Sequence, residues 1–230
     1  MKAKALAATL LIPTLALMLG ACAGTRGEPG FAAAPGRSFI LLGADGMDVQ
    51  GKRGFTFVFR KLDMKSAEFL KEDLQIEFVG SGPVRETEFA KPQTLKTSLR
   101  FGGQQVTPGD YALISLVERA SDLPGGVSAT CFNDGAPVFH IVEGQISIIA
   151  AGNVAGPRGP SELRVEDEAS QMLKSHPGYS APATNTRAFG SVTFDITGAR
   201  TTTGRAANAN CKALGRHQFK PRGRSQTARL

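Results

Sequence analysis

The chain has 230 residues, among them 27 Gly, 13 Pro, 14 Phe, two Tyr and no Trp, a composition that favours turns over long helices. Its formal net charge of +7 is unevenly spread: Lys2 and Lys4 stand near the start, six basic residues and no acid lie at 212–230, and residues 22–211 hold 19 basic against 20 acidic groups. A uniformly basic domain is therefore excluded; charge alone would permit a nucleic-acid partner, and it is the secretory start at residues 1–21 that makes one unexpected.

Residues 1–21 follow the three-part plan of a secretory signal. Lys2 and Lys4 form the basic start, residues 5–19 are apolar apart from Thr9, Pro13 and Thr14, and small residues line the cleavage point. The run is short and broken by Pro13, whereas a membrane-spanning helix needs about 20 apolar residues. It closes on Leu19-Gly20-Ala21-Cys22, which resembles the lipobox of bacterial lipoproteins. The resemblance implies that Cys22 becomes the first mature residue, with a diacylglyceryl thioether and an acylated amino group. Each buried methylene contributes about 0.8 kcal/mol, so several chains hold far better than one. By analogy with enterobacterial sorting, Ala23 in place of Asp directs the protein to the outer membrane, facing the periplasm. Ala21-Cys22-Ala23 also fits ordinary secretory cleavage, which would discard Cys22 and release a soluble periplasmic protein.

Residues 22–36 are rich in Gly, Ala and Pro without periodicity and read as a flexible tether, reaching about 45 Å when stretched at about 3.3 Å per residue. A β-sandwich domain is expected over 37–211. Ser38-Phe39-Ile40-Leu41-Leu42 is a short apolar strand ended by Gly43 and Asp45-Gly46. Phe55, Phe57 and Phe59 recur at spacing two, as do Leu74, Ile76 and Phe78, which throws each set onto one face of a strand. Leu95, Leu99 and Phe101 outline a further strand interrupted by Thr97. Half-buried strands of this kind belong to an antiparallel sheet with one wet side.

Thr107-Pro108-Gly109-Asp110 is turn chemistry. Tyr111, Leu113, Ser115 and Val117 then alternate with Ala112, Ile114 and Leu116, giving a central strand with apolar residues on both faces. A second turn is expected at Leu123-Pro124-Gly125-Gly126. Residues 137–142 form the next strand, Glu143-Gly144 a tight turn, and residues 145–151 its hairpin partner. Pro108-Gly109-Asp110-Tyr111, Cys131-Phe132 and residues 138–149 together resemble proteobacterial envelope lipoproteins of unknown function with small transthyretin-like β-sandwich domains. That resemblance covers about 45 residues; it implies a fold and no activity.

The period changes at 161–176, where Val165, Ala169, Met172 and Leu173 mark one helix face. Ser161 is the expected N-cap, acids crowd the start, Lys174 and His176 the end, and Pro177-Gly178 stops the helix. Residues 189–197 alternate again, with Val192, Phe194 and Ile196 on one face, as the expected last strand. Residues 212–230 carry Lys212, Arg216, Lys220, Arg222, Arg224 and Arg229 with few apolar residues and read as a basic disordered tail, dispensable for folding.

No nucleophile elbow, zinc-protease helix or phosphate-binding Gly-rich loop is present, so no enzyme activity and no cofactor or metal is expected. The three His lie far apart: His140 on the polar face of a strand, His176 at a helix end, His217 in the tail. Asp45 and Asp48 with Gly43 and Gly46 form a turn and lack the further acids of a calcium loop. The alternating Phe are core residues, with a lipid-binding groove as the alternative. Once Cys22 carries lipid, Cys131 and Cys211 remain as an even pair in an oxidising compartment, expected to form a disulfide; the alternative is two unpaired thiols. The expected function is that of a lipid-anchored envelope lipoprotein with a non-catalytic structural or binding role, or a lipoprotein subunit of a secretion or efflux assembly. The membrane is reached through Cys22, and the basic tail is the candidate contact for an anionic envelope lipid or protein.

Overall fold

Alternation places Phe57 and Phe59 on one side of their strand, and both are fully buried, as are Ile76 and Phe78 on the strand beside it. The computed structural model describes residues 30–44, 53–78, 89, 99–120, 127–151, 162–196, 211 and 213–222. Within them the strands are β1 Ser38–Ala44, β2 Arg53–Asp63, β3 Glu68–Phe78, β4 Arg100–Val106, β5 Gly109–Ala120 and β6 Val127–Cys131. They are followed by β7 Ala136–Ile141, β8 Ile146–Ala150, the helix α1 Glu162–Lys174, β9 Ala183–Asn185, β10 Gly190–Ile196 and β11 Ala213–Pro221. The chain is thus mostly β: two sheets face each other in a sandwich, with one helix among the described residues. Cys22, the turn residues Asp45-Gly46 and 123–126, Asp48, Leu95 and Ser161 lie outside the described residues.

The smaller sheet has the order β4-β1-β8-β9. Every residue of β1 is buried, because its two faces meet different layers. Phe39 and Leu41 pack with Phe101, Ile146 and Ile148 against Val165, Ala169 and Met172 of α1. Ile40 and Leu42 pack with Ile149 against Phe57, Phe59, Leu113 and Phe139 of the larger sheet. Fully burying one such side chain contributes about 1.5–3 kcal/mol, so these two clusters are the principal cement between layers.

The larger sheet, ordered β2-β3-β11-β10-β7-β5-β6, closes on itself because β2 also pairs with β5 along Arg53–Leu62 and Asp110–Ala120. Six of its strands therefore form a ring. One cluster draws on strands all round that ring, joining Leu62 and Val58 of β2, Phe69 of β3, Ala112 and Ile114 of β5, Val138 of β7, Val192 and Phe194 of β10 and Phe219 of β11. Residues on strands opposite each other across a closed ring meet only in its interior, so this cluster fills the ring as side chains fill a small barrel.

Three expectations are corrected. Residues 145–151 are not the hairpin partner of β7: β8 lies in the other sheet, parallel to β1 from Phe39↔Ile146 to Gly43↔Ala150. Both edges of β7 are taken, by β5 and β10, and a strand buried on both faces needs a central place, which β8 has between β1 and β9. Glu143-Gly144 is accordingly a crossing between sheets, where Gly144 N–H donates to the Arg37 carbonyl at 2.7 Å.

The tether expected over 22–36 is not free along its whole length. Phe31 is buried in the core beneath α1, and its backbone bonds to the chain beyond the helix. A single aromatic within Gly, Ala and Pro gives no periodicity, yet one ring is enough to dock the segment.

Nor is 212–230 a disordered tail throughout, for 213–221 form β11, paired with β10 through six residue pairs and with β3 at Arg216↔Glu68. His217 and Phe219 share the inner face while Arg216, Gln218 and Lys220 are exposed, the period-two pattern of a strand with a wet side. Residues 223–230 lie outside the described part.

Candidate functional site

β5 begins in a tight turn whose Gly109 has φ +138°, a conformation that favours glycine, and a Cβ there would meet Lys61 Cε at 3.0 Å. That turn holds Thr107 over Tyr111. The Tyr111 hydroxyl donates to the Thr107 carbonyl at 2.8 Å, and the Thr107 hydroxyl donates to Glu72 Oε2 at 3.0 Å while accepting from Lys61 Nζ. Lys61 Nζ also lies 3.8 Å from Glu72 Oε2 and 5.9 Å from the centre of the Tyr111 ring. Beside it, Arg60 Nε pairs with Asp73 Oδ1 at 3.0 Å.

Glu72, Asp73, Thr107 and Tyr111 of this network line a cleft of about 350 Å³ between the two sheets, together with Arg37, Gln104 and Gln105. Burial pushes the Tyr111 phenol above its ordinary value; the Thr107 hydrogen bond opposes this in part, and the Glu72 charge adds to it. The phenol therefore keeps its proton and serves as a donor. Each group of the network is engaged by another, so the chemistry on offer is hydrogen bonding from the exposed Arg37, Gln104 and Gln105 to a small polar ligand. Lys61, Glu72 and Tyr111 come from three strands, and sequence reasoning did not assemble them; the legible signal was the Thr107-Pro108-Gly109 turn.

The sequence-designated residues are scattered. His140 Nδ1 lies 2.7 Å from Asp110 Oδ1 across the β5–β7 pairing, on the exposed face of β7 near Phe189. His176 caps the end of α1, with Nδ1 2.9 Å from the Met172 carbonyl and its ring against Phe89. Among the described residues no cluster of three His, Cys, Asp or Glu could hold a metal ion, and no helix is long and apolar enough to cross a membrane. Cys131 and Cys211 are brought together as a disulfide, with Cα atoms 5.4 Å apart.

His217 differs most from its expected place. It is buried inside the ring, edge-on to Phe69 at 5.3 Å. Burial holds it below the ordinary 6.5, while nearby Asp63 offsets part of the effect. The unfolded chain then takes up this proton more readily than the folded one. The stability contributed by neutral His217 is complete above pH 6.5 and is lost as pH falls below it. Asp63, held below 3.8 first by the Lys65 and Ser66 backbone amides, contributes to acid sensitivity only in a lower window. Melting temperature is expected to decline as pH falls below 6.5, and His217→Phe to flatten that decline. Parallel profiles for the two proteins would clear His217 of the effect.

The chain matches no known family model, no characterised protein and no solved structure.

Proposed function

We propose that this is a lipid-anchored envelope protein with a non-catalytic binding or structural role, held in the outer membrane through Cys22 and facing the periplasm. The observation that carries the reading is the Cys131–Cys211 disulfide, which closes a sequence separation of 80 residues. Such bonds persist where thiols are oxidised, outside the cytosol, and this one leaves Cys22 as the single remaining thiol of the chain. The docked Phe31 adds a geometric consequence. Eight residue steps separate Cys22 from Gly30, so the anchor holds the domain within about 26 Å of the lipid, at about 3.3 Å per residue.

Cys22→Ser is the test. It should abolish incorporation of labelled fatty acid and move the protein from the membrane pellet to the soluble periplasmic fraction. A variant that still pelleted like the wild type would not owe its location to the lipid.

A further inference from the structure

Two segments distant in sequence meet where the chain enters the fold. Phe31 N–H donates to the Gly178 carbonyl at 2.8 Å, and the Phe31 carbonyl accepts from Ser180 N–H at 3.0 Å and Ala181 N–H at 3.3 Å. Gly30 is pressed onto Gly178 so closely that a Cβ would lie 2.5 Å from the Gly178 carbonyl oxygen. The place at which the anchoring segment leaves the domain is therefore fixed.

The surface around that exit has a distinct chemistry. Segments 30–37 and 174–187 contain Arg37, Lys174, His176 and Arg187 and no Asp or Glu. Ala32, Ala33, Pro35, Pro177 and Pro182 are exposed between these basic groups. Beside the face stands Glu143, whose carboxylate accepts the Gly36 N–H. The face offers small uncharged residues and basic groups, with carboxylates at its rim, Glu143 beside Gly36 and Glu72 and Asp73 in the cleft that Arg37 lines, and such a surface suits an anionic lipid surface. Strong attraction needs approach to within about 10 Å, the screening length at 0.1 M salt.

We infer that the face formed by residues 30–37 and 174–187 lies against the anionic headgroups of the membrane that holds Cys22. This rests on the anchoring reading above and adds an orientation to it. The far end of the domain is then lifted away. Gly109 pairs with Ile141 near the exit, whereas Arg119 pairs with Val127 ten residues further along β5, about 33 Å at 3.3 Å per residue.

The chain contains no Trp, so a single introduced indole reports alone. Ala183 on this face and Val127 at the far end are both exposed, so Ala183→Trp and Val127→Trp are tolerable sites. Full-length protein purified from membranes would be reconstituted into phosphatidylglycerol–phosphatidylethanolamine vesicles with brominated acyl chains, and acylation of Cys22 confirmed by mass on the same sample. Bromine should quench Ala183→Trp at least twofold more than Val127→Trp. Adding Arg37→Glu and Lys174→Glu should erase the difference without releasing the protein from the vesicles. Equal quenching of the two reporters on an acylated chain would overturn the orientation and leave the anchor intact. An unacylated Cys22 would remove the anchoring reading and the orientation with it. A difference that survives the charge reversals would assign the approach to the tether alone and overturn the role of the face. An indole emission shift that depends on protein concentration and ignores bromine would give the face to a second copy of the chain, and would likewise overturn its role at the membrane.

Discussion

Truncation after Cys211 is expected to destroy the cooperative fold. The removed segment contains β11, which lies between β3 and β10 and completes the ring. Its loss takes away Phe219 and His217 and uncovers Val192, Phe194 and Phe69 inside the ring. At about 1.5–3 kcal/mol for each large apolar side chain returned to water, two or three of them amount to at least about 3 kcal/mol. Domains commonly have only about 5–15 kcal/mol in total. Two strand edges, on β3 and β10, are also left without partners, which invites aggregation. The matched control is truncation after Arg222, which keeps every described contact of β11 and should leave the melting temperature within a few degrees. Far-UV circular dichroism melts of the two truncations make the comparison. If the shorter chain melted like the full one, the ring would not depend on β11.

Most of the strand framework was legible because alternation leaves a clear trace where apolar residues are plentiful. Phe55, Phe57 and Phe59 marked β2, and Leu74, Ile76 and Phe78 marked the buried half of β3. The helix was legible from Val165, Ala169, Met172 and Leu173, which all turn inward from α1. What escaped were pairings and solitary anchors. Nothing local in residues 146–150 distinguishes a hairpin partner of β7 from a parallel neighbour of β1; the choice is made by which edges are already occupied. Phe31 escaped because a lone ring has no period. β11 is hidden because its charge masks its alternation: Arg216, Gln218 and Lys220 are the outer face of a strand whose inner face is His217 and Phe219.

The Thr107 cleft escaped for a different reason. Its turn was visible, but Lys61 and Glu72 reach it from β2 and β3 across 46 and 35 residues. Long-range juxtaposition of this kind depends on the ring closing, since β2 is set beside β5 by the ladder that closes it. The site is thus a product of topology more than of motif.

Reduction of the Cys131–Cys211 bond should be the second large perturbation. Cys131 ends β6, which is paired to the far half of β5, and Cys211 stands two residues before β11 begins. The bond therefore delivers the closing strand to the ring. That strand needs the help on its β3 side, where the ladder is a single pair, Arg216↔Glu68, supported by His217 N–H donating to the Ala67 carbonyl at 2.9 Å. For a loop of 80 residues, the chain-entropy estimate of the stabilisation is about 4.5 kcal/mol. A domain of this size loses about 2–4 °C in melting temperature per kcal/mol, so a fall of about 9–18 °C is expected. Cys131→Ser, Cys211→Ser and the double variant should fall by similar amounts, because each removes the same bond and the effects cannot add. Reductant should reproduce the fall in wild type and do nothing further to the double variant. If reductant left the wild-type melt unmoved, β11 would be held by its β10 ladder and its inward-facing Phe219 alone.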